Sequence, residues 1–294
     1  MSGPDAAIFL ELICATTVGK LAVGRGRYTI MLREDGMVMD DGTVWRTEEN
    51  RFLLTSSTGG ADRMAAHGGE VFHTPCDIRD PEAVEAMIDR VWEHFGGIDV
   101  LVNNAAGNFS APTERLSHRA VDAVLNIVLH GTFYCTLALG KKWIAAKHPG
   151  RVLSVVATYA ESGSAFVVPS AAGKAGVLAM TRSLAVEWAR YGITMNAVAP
   201  GPFPTPGAWD RLLPDPALAQ HAIDRIPLRR VGEKEELANL CAFLVADGSQ
   251  YINGECIAID GGEWLKGSGQ FSWMDVLTPE QWDALTAQGK KAGK

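Results

Sequence analysis

Asn103-Asn104-Ala105-Ala106-Gly107-Asn108 follows an apolar run over residues 98–102 and opens a segment with neither helical nor strand periodicity. A short buried run that ends in small and amide residues reads as a parallel strand whose carboxyl end is a binding edge. The rhythm repeats outward on both sides. Upstream, residues 71–75 read as a short strand ending near Asp77, and residues 81–95 as an amphipathic helix closed by Gly96-Gly97. Downstream, a helix is expected around 120–130 and on towards 147, then a strand over 151–157 and a helix from about 170 to 191. Val177, Met180, Leu184 and Trp188 share one face of that last helix, and Gly192 supplies its stop. A strand over 193–198, a helix over 233–246 and a strand over 255–259 complete the pattern before Asp260-Gly261-Gly262. Alternating strands and helices predict an α/β fold with a doubly wound parallel sheet.

The first 60 or so residues have another texture. Short strands are expected at 28–32, 37–39, 43–46 and 52–55, separated by Glu34-Asp35-Gly36, Asp40-Asp41-Gly42 and Glu48-Glu49-Asn50. Turn residues at that spacing predict an antiparallel meander, with Asp40-Asp41 in a turn. The junction falls between about Gly59 and Gly69, dividing the chain into a β-rich segment, 1–66, and an α/β domain, 67–294, without its first strand-helix units. The competing arrangement joins 52–55, a helix over 61–67 and 71–75 into one crossover unit that completes the sheet.

The chain has 294 residues, 47% hydrophobic and 21% charged, enough for one large core. A net charge of −7 and a pI near 5.5 argue against nucleic acid or an anionic membrane as partner. The five cysteines are scattered, with no Cys-x-x-Cys and no His at metal-ligand spacing, which predicts reduced thiols, a cytoplasmic protein and no metal site. No basic leader opens the chain, and no uninterrupted apolar run reaches about 18 residues, so no membrane span is expected.

Tyr159, Ser170, Lys174 and Pro200-Gly201-Pro202 follow Asn103–Asn108 in the order and spacing of a nicotinamide-dependent reductase. The chain from about Gly69 resembles the short-chain dehydrogenase/reductase family, with its Rossmann-like sheet. In the common pattern of that family a Tyr and a Lys four residues apart share a helix face; here the position four before Lys174 is Ser170. Ala157 and Val128 stand where the usual Ser and Asn would be. These departures resemble the 2,4-dienoyl-CoA reductase branch, matched at Thr158-Tyr159-Ala160-Glu161, Phe166-Val167-Val168-Pro169-Ser170-Ala171, Lys174-Ala175-Gly176-Val177, Pro112 to Ser117 and Asp260-Gly261-Gly262-Glu263. The resemblance implies that Tyr159 and Asn108 hydrogen-bond the thioester oxygen of a dienoyl-CoA. It implies that Lys174 holds the nicotinamide ribose of NADPH with Ser170 in support, and that Asp77 meets the adenine. Asn104, Ala105 and Gly107, with Pro200, Gly201, Pro202 and Phe203, would line the cofactor. Arg79, Phe109, Ser117 and Arg211 would meet the acyl-CoA, and a homotetramer is implied.

Upstream, no Thr-Gly-x-x-x-Gly-x-Gly precedes this constellation. In Thr58-Gly59-Gly60-Ala61-Asp62-Arg63-Met64-Ala65, Arg63 and Ala65 occupy the places of the second and third glycines. Residues 6–66 instead resemble the folate-binding aminomethyltransferase domain found in the alpha chain of sarcosine oxidase, through Gly24-Arg25-Gly26-Arg27-Tyr28-Thr29, Met31 to Gly36 and Met39 to Val44. A glycine turn and helix N-terminus normally give the cofactor pyrophosphate several backbone bonds. Losing two or three of them removes on the order of 4 to 6 kcal/mol, roughly a thousand-fold to ten-thousand-fold in affinity. Two alternatives to a working reductase therefore stay open: a non-catalytic chain that binds acyl-CoA or a partner, and folate-linked amine oxidation.

Overall fold

A computed structural model describes the backbone of 25–32, 38–48 and 51–54, residue 72, and residues 74–204 and 216–292, with side chains described over 72, 74–204 and 218–288. The helix expected at 61–67, the incomplete glycine pattern at 58–65, Cys14 and Arg211 lie outside the described residues.

Strands β1 (Arg25–Leu32), β2 (Val38–Glu48) and β3 (Arg51–Leu54) form an antiparallel sheet in the order β1-β2-β3, the expected meander. One expectation is corrected. Asp40-Asp41-Gly42 is not a turn: Asp40, Asp41 and Gly42 pair with Met31, Ile30 and Thr29, so two expected strands are one. The irregularity is a register shift at Met31/Leu32, which absorbs the misfit without ending the ladder.

The expected strand over 71–75 is also corrected, because positions 72, 74 and 75 carry no strand. Among the described residues, the α/β part begins its regular structure at helix α1 (Pro81–Phe95). Asp80 caps it, its carboxylate accepting from Glu82 N and Ala83 N, Pro81 fits the first turn, and Gly96 at φ 75 closes it. Strand β4 (Val100–Asn103) leads to α2 (His118–Leu125), a π-helical turn over Asn126–Gly131 and α3 (Thr132–Ala146). Together they make one helical stretch, His118–Ala146, long and apolar enough by length and composition to cross a membrane, a test that a buried core helix also meets. Its buried face holds Val124, Val128, Leu139 and Trp143.

Strand β5 (Gly150–Val155) is followed by a one-turn helix α4 (Tyr159–Ser162) and the long α5 (Val168–Trp188), extended by a 3-10 turn to Gly192 at φ 75. α5 begins two residues before the expected start because Pro169 is accommodated in its first turn. Strand β6 (Ile193–Pro200), helices α6 (Pro216–Arg225) and α7 (Lys234–Leu244), strand β7 (Cys256–Ile259) and helices α8 (Glu263–Ser268) and α9 (Pro279–Ala292) complete the order. The α7 start is a capping box between Glu233 and Glu236.

The four strands form one parallel sheet in the order β4-β5-β6-β7. Alternate residues face opposite sides. Val152, Ile193 and Met195 pack against Val84 and Ile88 of α1, Leu139 and Trp143 of α3, and Ala185 and Trp188 of α5. On the other side Val100, Leu153 and Val198 meet Ala238, Cys241 and Leu244 of α7, and the β1 backbone runs beside α7. The sheet is thus covered on both faces, as all-parallel sheets require. Among the described residues no strand pairs with the outer edge of β4.

Trp143 is the pin of the first layer. It is fully buried, its Nε1 donates to Ile98 O at 2.5 Å, and a Cβ on Gly150 would come within 2.4 Å of its ring. Trp143→Ala should lower unfolding free energy by about 3–5 kcal/mol, read from the urea midpoint at unchanged slope.

Candidate active site

Four parallel strands bring four loops to one carboxyl edge, where ligands bind in open α/β sheets. Asn103, the last residue of β4, is buried, and its Nδ2 donates to Thr136 Oγ1 at 3.0 Å and lies 3.5 Å from Ser154 Oγ. It fastens the ends of β4 and β5 to α3, which leaves the next residues free of the sheet. Asn104, Ala105, Asn108 and Phe109 are exposed and Gly107 is half-buried. Asn108 Oδ1 accepts from Phe109 N at 2.9 Å.

Beyond β5, Tyr159 opens α4 and its hydroxyl lies 3.1 Å from Ser170 Oγ in the first turn of α5. Ser170 is buried. One turn on, Lys174 is only 7% exposed, and its Nζ donates to Val155 O at the end of β5. Desolvation lowers its pKa from the ordinary 10.5 to about 8. The structure thus brings Tyr159, Ser170 and Lys174 together, with a tyrosine supplied by the strand end instead of the helix.

Val128, where the family pattern has Asn, is fully buried in the π-helical turn against Gly173 of α5. A π turn re-aims the carbonyls around it, and such turns concentrate at functional sites. Ala157 is buried between β5 and Tyr159 and supplies no hydroxyl.

At the end of β6, Gly201 N donates to Ile259 O at 3.0 Å, and a Cβ there would meet Asp260 Cβ at 2.7 Å, so only glycine fits. Gly232 N donates to Pro202 O, and the Phe203 ring lies over Gly232. Asp260 accepts from Gly262 N and Trp264 N at 2.9 and 2.8 Å. Pro200 to Phe203 is therefore a braced wall, partly exposed.

Asp77 and Arg79 stand before α1 and pair with each other, Arg79 Nε lying 2.8 Å from Asp77 Oδ1. The Arg79 guanidinium holds the Asp77 carboxyl down at about 2, well below the usual carboxylate range. An expected adenine contact and an expected acyl-CoA contact thus occupy each other. Ser117 caps α2, its Oγ accepting from Ala120 N at 3.2 Å, which leaves its hydroxyl hydrogen to donate. The sequence reading missed the Glu161–Arg182 ion pair, 2.5 Å, that ties α4 to α5, and the Asp260 brace behind Gly201. Glu161 was visible as a motif residue, but its partner is 21 positions away.

A family model described as enoyl-(acyl carrier protein) reductase matches residues 53–263. The chain belongs to the short-chain dehydrogenase/reductase family. It is 46% identical over 198 residues to a Bacillus subtilis protein named probable 2,4-dienoyl-CoA reductase, covering 67% of this chain and 78% of that one. Caenorhabditis elegans probable 2,4-dienoyl-CoA reductase 3 is 48% identical over 203 residues, covering 68% of this chain and 66% of the other. A crystal structure of a short chain dehydrogenase from Bacillus anthracis is similar with a TM-score of 0.63 and 42% identity, over 70% of this chain and 83% of its own. A second family model, the GCVT N-terminal domain, matches residues 1–88 and overlaps the first.

Lys174 yields a stability prediction with a definite sign. Its folded pKa lies below its unfolded value, so below pH 8 the fold bears the whole cost of burying the charge, about 3 kcal/mol. That cost fades as pH rises from about 8 towards 10.5. Lys174→Met, less the lost bond to Val155, should be more stable than wild type by about 1–2 kcal/mol at pH 7. The advantage should vanish above about pH 10, as measured by denaturant unfolding across pH.

Proposed function

We propose that the chain reduces 2,4-dienoyl-CoA thioesters to 3-enoyl-CoA in the breakdown of unsaturated fatty acids, with NADPH as hydride donor. The observation that carries the reading is the Tyr159–Ser170 contact at 3.1 Å with Lys174 one turn along the same helix. It is supported by 46% identity to a protein named for this reaction.

The nicotinamide end of a cofactor fits the residues present. A braced wall at Pro200–Phe203 gives a flat apolar face, Gly201 allows close approach, and the Lys174 ammonium is a buried donor for ribose hydroxyls. Asn104, Ala105 and Gly107 would flank it, and Asp77 would reach the adenine from its pair with Arg79. The phosphate end has no counterpart in sequence, because Arg63 and Ala65 replace the glycines. Bound NADPH would supply a hydride to the distal carbon of the diene, and a proton from water added to the carbon next to the thioester would complete the 3-enoyl-CoA.

Tyr159 and Asn108 do the remaining work at the thioester oxygen, where negative charge gathers. The Tyr159 hydroxyl has one hydrogen, and it donates that to the oxygen while Ser170 donates to Tyr159 in turn. Asn108 uses its Oδ1 on Phe109 N, and its Nδ2 hydrogens are the second donor. Lys174 below them carries positive charge up to about pH 8, which favours the developing anion. Arg79, Phe109, Ser117 and Arg211 belong to acyl-CoA recognition in this proposal. A homotetramer in the cytoplasm belongs to it too, with exposed Phe133, Leu137 and Val186 offering apolar surface for assembly.

Tyr159→Phe should lower kcat for a dienoyl-CoA by about 100-fold or more with KM little changed, since the hydroxyl acts on charge present only in the transition state. An unchanged rate sinks the assignment. Calorimetric titration with NADPH should give a millimolar Kd, roughly a thousand-fold above a micromolar site, from the missing backbone donors. Micromolar binding would show that other residues have rebuilt the phosphate site.

A further inference from the structure

Residues 159–170 form a closed loop. Its ends meet at the Tyr159–Ser170 bond, and its far side, beyond Gly163 at φ 71, carries Phe166. Phe166 has φ 66, a left-handed backbone that an aromatic L-residue rarely adopts, and it is 62% exposed. A left-handed backbone at a bulky residue costs free energy and persists where the surrounding structure holds it. The Phe166 carbonyl accepts from Ala111 N at 2.8 Å. That bond joins the loop to the segment after β4, three residues beyond Asn108 and two beyond Phe109, itself 40% exposed. Val168, next to the same loop, is exposed as well. Phe166 thus sits where the two loops bearing the proposed oxyanion donors are fastened, and it presents an aromatic ring to solvent there.

Resting on the thioester reading above, we propose that Phe166 is a substrate-contact residue. Its ring and that of Phe109 receive the apolar acyl chain as it leaves Tyr159 and Asn108. The ligand class follows from the surface: two aromatic rings and Val168 offer apolar area without a charge among them, which suits a fatty acyl chain and not the polar CoA end.

The test is calorimetric binding of octanoyl-CoA and of free CoA to the whole chain, which requires no nicotinamide nucleotide. Phe166→Asn keeps the left-handed backbone, which asparagine tolerates, and removes the apolar ring. Phe166→Leu keeps apolar surface. Phe166→Asn should weaken octanoyl-CoA about ten-fold, the equivalent of one to two methylenes left in water, and leave free CoA within about two-fold. Phe166→Leu should retain octanoyl-CoA affinity within about three-fold. Unchanged octanoyl-CoA binding in Phe166→Asn, or an equal loss for both ligands, overturns the inference alone. Wild-type protein that binds octanoyl-CoA no more tightly than CoA overturns the thioester reading beneath it.

Discussion

Parallel pairing of β5 with β6 is the constraint on which the site depends. Six consecutive pairs, Gly150↔Ile193 to Val155↔Val198, fix their register. Because both strands run the same way, the loop carrying Tyr159 and the wall at Pro200–Phe203 must emerge at the same edge. β4 and β7 join in the same sense, through Asn103↔Ser154 and Pro200↔Ile259. A one-residue slip of β5 would reverse which of Val152 and Leu153 meets Trp143, so the core enforces the register that the chemistry needs.

Against that frame the lysine stands out energetically. A protein core rarely keeps a nearly buried ammonium such as Lys174, which donates to the strand carbonyl of Val155. Burial lowers its pKa to about 8, a cost the fold bears to keep a cation one turn along α5 from Ser170. The Phe166 backbone and the exposed rings around it are further stability losses on the same edge. Costs gathered in one place, with well-packed layers elsewhere, are what a site selected for binding looks like.

The parallel half of this architecture was legible because each signal was local. Pro81 with Gly96, the apolar run into Asn103 and the Gly192 stop are short-range patterns, and the observed bounds differ from the expected ones by a residue or two. Tyr159, Ser170 and Lys174 were legible because one loop and one helix carry all three. Less accessible were features made by distant partners: Glu161 reaching Arg182, and Asp260 crowding Gly201. Asp40-Asp41-Gly42 misled for the opposite reason. Turn chemistry was present, yet pairing with β1 on both sides kept the strand running through it.

In the proposed reading, the reacting groups and the cofactor's phosphate grip fall on different parts of the chain. The groups proposed to prepare hydride acceptance lie on or just after β4 to β6 and on α5, and their positions follow from the described sheet and core. Pyrophosphate recognition in this fold is a property of one glycine turn and the helix after it, and in this sequence Arg63 and Ala65 stand where two of those glycines would be. Binding energy spent on remote parts of a cofactor normally holds the reacting atoms in place. With that anchor weakened, the proposed Lys174–ribose contact and the Pro200–Phe203 wall would have to orient the nicotinamide on their own. In this reading the acyl-CoA would be the better-held partner, since its proposed contacts at Phe109, Ser117 and Tyr159 lie on or beside elements the core already fixes. Occupancy of the cofactor, and not the chemistry at the thioester oxygen, would set the rate of such an enzyme.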